Sequence, residues 1–220
     1  MPWSKQKALD LIRQLGVVSI VRVSSTEDAP RAVEAIVAGG LNVVEITMTV
    51  PNALRVLERV AGQMGDKVLI GGGTVLDPES CRAALLSGAE FIVTPSVNPT
   101  VIEMARRYGK VVIPGALTPT EIVLAWQSGA DMVKIFPCEP VGGPRYLKAL
   151  RSPFPHIEFV PTGGVDLKTT PEYIKAGAAA VAVGGELVSS AALREGRLDV
   201  ITESARCYLE AVRLARETGR

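Results

Sequence analysis

An α/β fold, a single-domain (β/α)8 (TIM) barrel, is what this sequence predicts, and three observations carry the prediction. Eight short β-rich runs recur at intervals of about 20 to 25 residues, the length of one strand-helix unit. Amphipathic helical stretches fill the intervals, and most end in glycine, as helix C-termini often do. The strand runs are apolar on both faces, the pattern of parallel strands covered by helices. An open doubly wound sheet is the alternative that the same pattern allows.

Taken in order, the opening segment MPWSKQKALDLIRQL has helical spacing with charges throughout, and predicts a helix over 3–15 that caps the bottom of the barrel. Strands are expected at 17–23 (VVSIVRV), 42–48 (NVVEITM), 67–72 (KVLIGG), 91–95 (FIVTP), 111–115 (VVIPG), 132–137 (MVKIFP), 157–164 (IEFVPTGG) and 179–185 (AAVAVGG). Between them stand helical patterns such as EDAPRAVEAIVAGG, PNALRVLERVAGQ and TPTEIVLAWQSGA. A last helix over about 199–217 closes the ring. With 220 residues, 47% of them hydrophobic, the chain can bury one large core, and residues 1–220 form one domain.

Composition then limits the partners. Lys and Arg total 24 against 23 Asp and Glu, interspersed along the chain, so no global field favours nucleic acid or an acidic membrane. A small molecule is the expected partner. No apolar run approaches the roughly 20 residues that span a bilayer, and the N-terminus is unlike a signal peptide, so the protein is expected in the cytoplasm. Cys81, Cys138 and Cys207 are widely spaced and suggest neither a disulfide framework nor a zinc knuckle. The one histidine, His156, lies in the loop SPFPHIE, which leaves no His-based zinc site or His-activated nucleophile.

Polar residues inside apolar strand runs mark the candidate site. In MVKIFP, alternation groups Met132, Lys134 and Phe136 on one face, leaving Val133 and Ile135 for the helix side. In NVVEITM it groups Val43, Glu45 and Thr47. Val18, Ile20 and Arg22 are in phase in the first strand. Lys134 and Glu45 are therefore expected inside the barrel, with the Arg22 guanidinium near the same mouth, at the C-terminal strand ends where barrel active sites lie. A buried Lys134–Glu45 ion pair would satisfy both groups and contribute little stability. Alternatively, a desolvated lysine beside a guanidinium has a lowered pKa, and its neutral amine can attack a carbonyl while Glu45 transfers protons.

GGGT (71–74), TGG (162–164) and VGG (183–185) close three strands, and the last two fall where barrels often bind phosphate through loop amides. No GxGxxG follows the first strand and no GxxxxGK[ST] occurs, so a dinucleotide or nucleoside triphosphate lacks its usual cradle. No cofactor is expected.

The ordered motifs VEITMTVPNAL, IGGGTVLDPE, FIVTPSVNP, VIPGALTPTE, VKIFPCEPVGG and FVPTGGV run through nearly the whole chain. In that order they resemble the family of 2-keto-3-deoxy-6-phosphogluconate aldolase and 4-hydroxy-2-oxoglutarate aldolase. The resemblance implies a class I, metal-independent lyase that joins pyruvate to a lysine, with Lys134 as that lysine and Glu45 as the general acid/base. It places Arg22, Thr47 and Thr74 around the pyruvate carboxylate, Pro95 and Phe136 in the pocket wall, and Gly163, Gly164 and Gly185 at the phosphate side. It implies cleavage of 2-keto-3-deoxy-6-phosphogluconate to pyruvate and glyceraldehyde 3-phosphate, with 4-hydroxy-2-oxoglutarate as a further substrate, and a homotrimer. Two departures stand out: Thr49 where many relatives carry arginine, and Gly185 where a serine is often found, followed by Glu186. The rivals are a divalent-metal pyruvate aldolase using carboxylates such as Glu45 and Asp77, and a non-catalytic barrel that binds a phosphorylated metabolite.

Overall fold

The computed structural model describes residues 3–218. It alternates strands and helices: α1 (Lys5–Leu15), β1 (Val17–Val21), α2 (Asp28–Ala38), β2 (Val43–Thr47), α3 (Ala53–Met64), β3 (Leu69–Gly73), α4 (Pro78–Leu86), β4 (Phe91–Val93) and α5 (Pro99–Arg107). There follow β5 (Val111–Ile113), β6 (Gly115–Ala116), α6 (Pro119–Gln127), β7 (Val133–Ile135), α7 (Gly143–Arg151), β8 (Phe159–Pro161), α8 (Thr170–Lys175), β9 (Val181–Val183), α9 (Ser190–Arg194) and α10 (Leu198–Glu217).

The helix starts are written locally. Asp77, Asn98 and Thr118 each stand before a proline, accept a hydrogen bond from a first-turn amide, and so cap α4, α5 and α6. Proline at the first helical position has a preset φ and no N–H to leave unsatisfied. Thr118 and Glu121 add a reciprocal capping box. At the first helix, Ser4 caps the start and Gly16, at φ +66°, provides the left-handed exit.

Every strand pair is parallel. One sheet has the order β5-β4-β3-β2-β1-β9, the other β6-β7-β8. The expected strand 111–115 is divided into β5 and β6 because Pro114 has no N–H to give the ladder. Its carbonyl still accepts from Lys134 N at 2.9 Å. At the other junction, a parallel bridge links Thr162 after β8 to Ala182 in β9. The helix α9 was not anticipated; its five residues lie in a stretch too short for a clear helical period.

Two apolar clusters separate inside from outside. Val18, Ile20, Val43, Leu69, Phe91, Val93, Val111, Ile113, Met132, Val160 and Ala182 form an interior cluster drawn from both sheets, so the parallel strands curl around one core. Ala8, Leu9 and Ile12 of α1 join it and close one end. The alternate residues, among them Val44, Ile46, Val133 and Ile135, belong to the larger cluster packed with the surrounding helices. Gly71 is required by this packing, since a Cβ there would lie 2.4 Å from the Phe91 ring.

Candidate active site

Strand alternation puts Lys134 in phase with Met132, a member of the interior cluster, while its neighbours Val133 and Ile135 pack outward. Lys134 is only 4% exposed, and its Nζ stands 4.9 Å from the centre of the Phe136 ring. On β2, Glu45 follows interior Val43 by two residues and is 0% exposed. Neither of its carboxylate oxygens has a hydrogen-bond partner among the described residues. Gly73 makes room for it: a Cβ there would be 1.9 Å from Glu45 Oε1 and 2.3 Å from its carboxyl carbon.

No hydrogen bond or ion pair joins Lys134 to Glu45 among the described residues, so the buried ion pair considered from sequence is not formed. The electrostatics agree. Burial pushes the Lys134 ammonium below the ordinary lysine range against the field of Glu45, and the Arg22 charge pushes it further down. Burial pushes the Glu45 carboxyl up, opposed by the charges of Lys134 and Arg22. Both shifts favour the neutral forms, a free amine and a carboxylic acid, held in one water-poor interior.

Arg22 lies one residue beyond β1, exposed at the mouth, and donates from Nη2 to Thr74 Oγ1 at 3.4 Å. Thr74 holds φ +58°, a left-handed conformation that costs a non-glycine residue about 1 kcal/mol or more and tends to occur at functional sites. Thr47 is buried; its hydroxyl contacts Thr49 Oγ1 at 2.8 Å and reaches the Val21 carbonyl at 3.4 Å. Pro95 is half-buried, and its carbonyl would be 2.4 Å from a Cβ on Gly115, so this glycine lets the two chain segments close together.

A cavity of about 310 Å³ opens beside these groups. Its lining includes Arg22, Lys134, Phe136, Gly163, Gly164 and Gly185, from the ends of β1, β7, β8 and β9. Glu45, Thr47, Thr74 and Pro95, from the ends of β2, β3 and β4, are not on its wall. Two further polar residues line the cavity, Thr162, which received no role from sequence, and Glu186, which the sequence places after Gly185. Thr162, in phase with interior Val160, is 5% exposed, and Glu186 reaches the cavity beside Gly185. The phase of Thr162 within FVPTGG was a usable signal.

Asp77 does not join the site. Both of its carboxylate oxygens are engaged by Ser80, from the amide at 2.6 Å and the hydroxyl at 2.9 Å. Among the described residues, no cluster of three His, Cys, Asp or Glu side chains could hold a metal ion.

Parallel strands covered by helices, with a desolvated amine and a buried carboxyl in their interior, make this an α/β protein, and its relatives are lyases. The chain belongs to the KDPG and KHG aldolase family, whose model matches residues 9–204. It is 33% identical over 206 residues to the 2-dehydro-3-deoxy-phosphogluconate aldolase of Treponema pallidum (strain Nichols), covering 94% of this chain and 96% of that protein. A solved native KDPGal structure superposes with a TM-score of 0.85 at 33% identity, covering 91% of this chain and 96% of the other. The KDPG aldolase of Legionella pneumophila, solved with pyruvate captured at low pH as a covalent carbinolamine intermediate, gives a TM-score of 0.85 at 29% identity. The match covers 91% of this chain and 97% of that one.

Proposed function

We propose that this protein is a Schiff-base aldolase that reversibly cleaves a 2-keto-3-deoxy sugar acid to pyruvate and an aldehyde, with Lys134 as nucleophile and Glu45 as general acid/base. The single observation that carries the assignment is the state of Lys134: buried, joined to no counter-ion among the described residues, and beside a buried carboxyl group that has no hydrogen-bond partner among them.

The neutral Lys134 amine attacks the 2-keto carbon, giving a carbinolamine, and Glu45 donates the proton with which its hydroxyl leaves as water. The resulting iminium accepts the electron pair of the C3–C4 bond as that bond breaks. The C4 hydroxyl passes its proton to the Glu45 carboxylate or to a water it holds, and the aldehyde departs. The enamine left on Lys134 takes a proton at C3, water hydrolyses the iminium, and pyruvate is released with the amine restored. The Phe136 ring favours the cationic iminium, because its face is attractive to positive charge. Arg22 and Thr74 at the mouth, with Thr47, hold the keto acid's carboxylate, and Pro95 and Phe136 exclude water.

The family offers 2-keto-3-deoxy-6-phosphogluconate, giving glyceraldehyde 3-phosphate, and 4-hydroxy-2-oxoglutarate, giving glyoxylate. Gly163, Gly164 and Gly185 line the distal end, where the aldehyde half of any such substrate would rest. The scaffold is proposed as a closed (β/α)8 barrel in one domain over 1–220, supported by the Thr162–Ala182 bridge and by the single residue between β5 and β6. A homotrimer is the expected assembly, and exposed Leu124 and Trp126 offer apolar surface for it. No described helix is long and apolar enough to cross a membrane, in keeping with a proposed place in the cytoplasm.

Borohydride reduction in the presence of pyruvate, followed by peptide mass analysis, tests the assignment. An adduct on Lys134 is expected; its absence, or an adduct on another lysine, overturns it.

A further inference from the structure

Given the aldolase reading, we propose that Thr49 is a positioning residue: its hydroxyl holds that of Thr47 and frees the Thr47 proton for the carboxylate of the keto acid.

The relevant corner of the mouth is built by β1, β2 and β3, which are consecutive in the sheet. Thr47 ends β2, in phase with Glu45 and paired in register with Gly73 of β3. Thr74 follows Gly73 on one flank, and Arg22 follows Val21 of β1 on the other. The 3.4 Å contact between Arg22 Nη2 and Thr74 Oγ1 therefore bridges the end of β2.

In an extended strand, residues two apart are separated by roughly 6.6 Å. Here the chain turns as β2 ends, with Val50 N donating to the Thr47 carbonyl at 3.0 Å. The turn brings Thr49 Oγ1 to 2.8 Å from Thr47 Oγ1, and either oxygen can be the donor. Thr47 is 0% exposed, whereas Thr49 is exposed.

A proton count gives this contact its meaning. Thr47 has one hydroxyl proton and two acceptors within reach, Thr49 Oγ1 at 2.8 Å and the Val21 carbonyl at 3.4 Å. A carbonyl can only accept, so with Val21 alone the proton would be drawn toward β1. A second hydroxyl can also donate. When Thr49 donates, the Thr47 oxygen keeps its partner while its own proton turns to an incoming carboxylate. The resulting chain, Thr49 to Thr47 to carboxylate, is polarised in one direction, which strengthens each bond in it.

The test uses pyruvate alone, so it does not depend on which aldehyde the enzyme takes. Borohydride trapping and exchange of the pyruvate C3 protons in D2O are measured for the unaltered enzyme, Thr49→Val, Thr49→Ser, Thr47→Val and the double valine variant. We expect Thr49→Val to raise the KM for pyruvate about three- to tenfold, the worth of one hydrogen bond, with kcat moving far less. Thr49→Ser keeps the hydroxyl and should keep the KM. In the Thr47→Val background, Thr49→Val should add nothing, because the group it positions is gone. An unaltered KM in Thr49→Val overturns the proposal, as does a serine variant as impaired as the valine one. A full effect of Thr49→Val in the Thr47→Val background also overturns it, by making Thr49 a direct contact of the ligand. Trapping that fails in every protein, the unaltered enzyme included, overturns the aldolase reading itself, and this inference with it.

Discussion

Gly73→Ala probes the proposed role of Glu45 without replacing either Lys134 or Glu45. The new methyl carbon would sit 1.9 Å from Glu45 Oε1 and 2.4 Å from its Cγ. To reach ordinary contact distance the carboxyl group must retreat by roughly 1.5 Å. Displacements of about 1 Å in a catalytic group can lower turnover about 100-fold, so kcat should fall by that order or more. Overpacking should also cost about 1–3 kcal/mol of stability. The backbone is no obstacle, since Gly73 is not among the glycines at positive φ. The assay pairs steady-state pyruvate release with borohydride trapping: turnover should collapse while Lys134 still forms some adduct, because the amine is left in place. Wild-type kcat with an unchanged melting temperature would refute both the crowding around Glu45 and its part in proton transfer.

Lys134→Met should fold and lose turnover. Its stability relative to the unaltered protein should depend on pH in a defined direction. The folded-state pKa of Lys134 is depressed below 10.5, so between the two values the unfolded chain binds more protons and stability rises with pH. Chemical denaturation should therefore show any advantage of the methionine variant shrinking toward pH 10.5, with a slope of at most about 1.4 kcal/mol per pH unit. Asp77→Ala should destabilise the fold by about 1 kcal/mol through loss of the α4 cap. Asp77→Asn should retain most of that stability in the same melts, because its amide oxygen can still accept from the Ser80 amide.

Much of this site is written in strand phase. Lys134 two residues from Met132, and Glu45 two from Val43, is enough to send both inward once the flanking residues are seen to serve a helix-packed outer face. What the pattern does not carry is distance. Whether two interior groups touch depends on the curl of the sheets, and here Lys134 and Glu45 form no ion pair. GGGT illustrates the same gap. Read along the chain, its glycines suggest close approach of a ligand, yet Gly71 clears the Phe91 ring and Gly73 clears Glu45, partners separated from them in sequence. Arg22 is in phase with Val18 and Ile20 at the end of the first run, and with β1 ending at Val21 the guanidinium stands at the rim, the mouth position that the phase indicated. Pro114 was visible inside VVIPG, and its missing donor is the physical reason one expected strand became two.

The plug formed by Ala8, Leu9 and Ile12 has a consequence for traffic. In the proposed closed barrel these aliphatic side chains would stopper the floor, so substrate and both products would share one doorway. Under the proposed mechanism the fragment tethered to Lys134 would leave only after the fragment nearer the rim, a single-file departure with aldehyde first and pyruvate last.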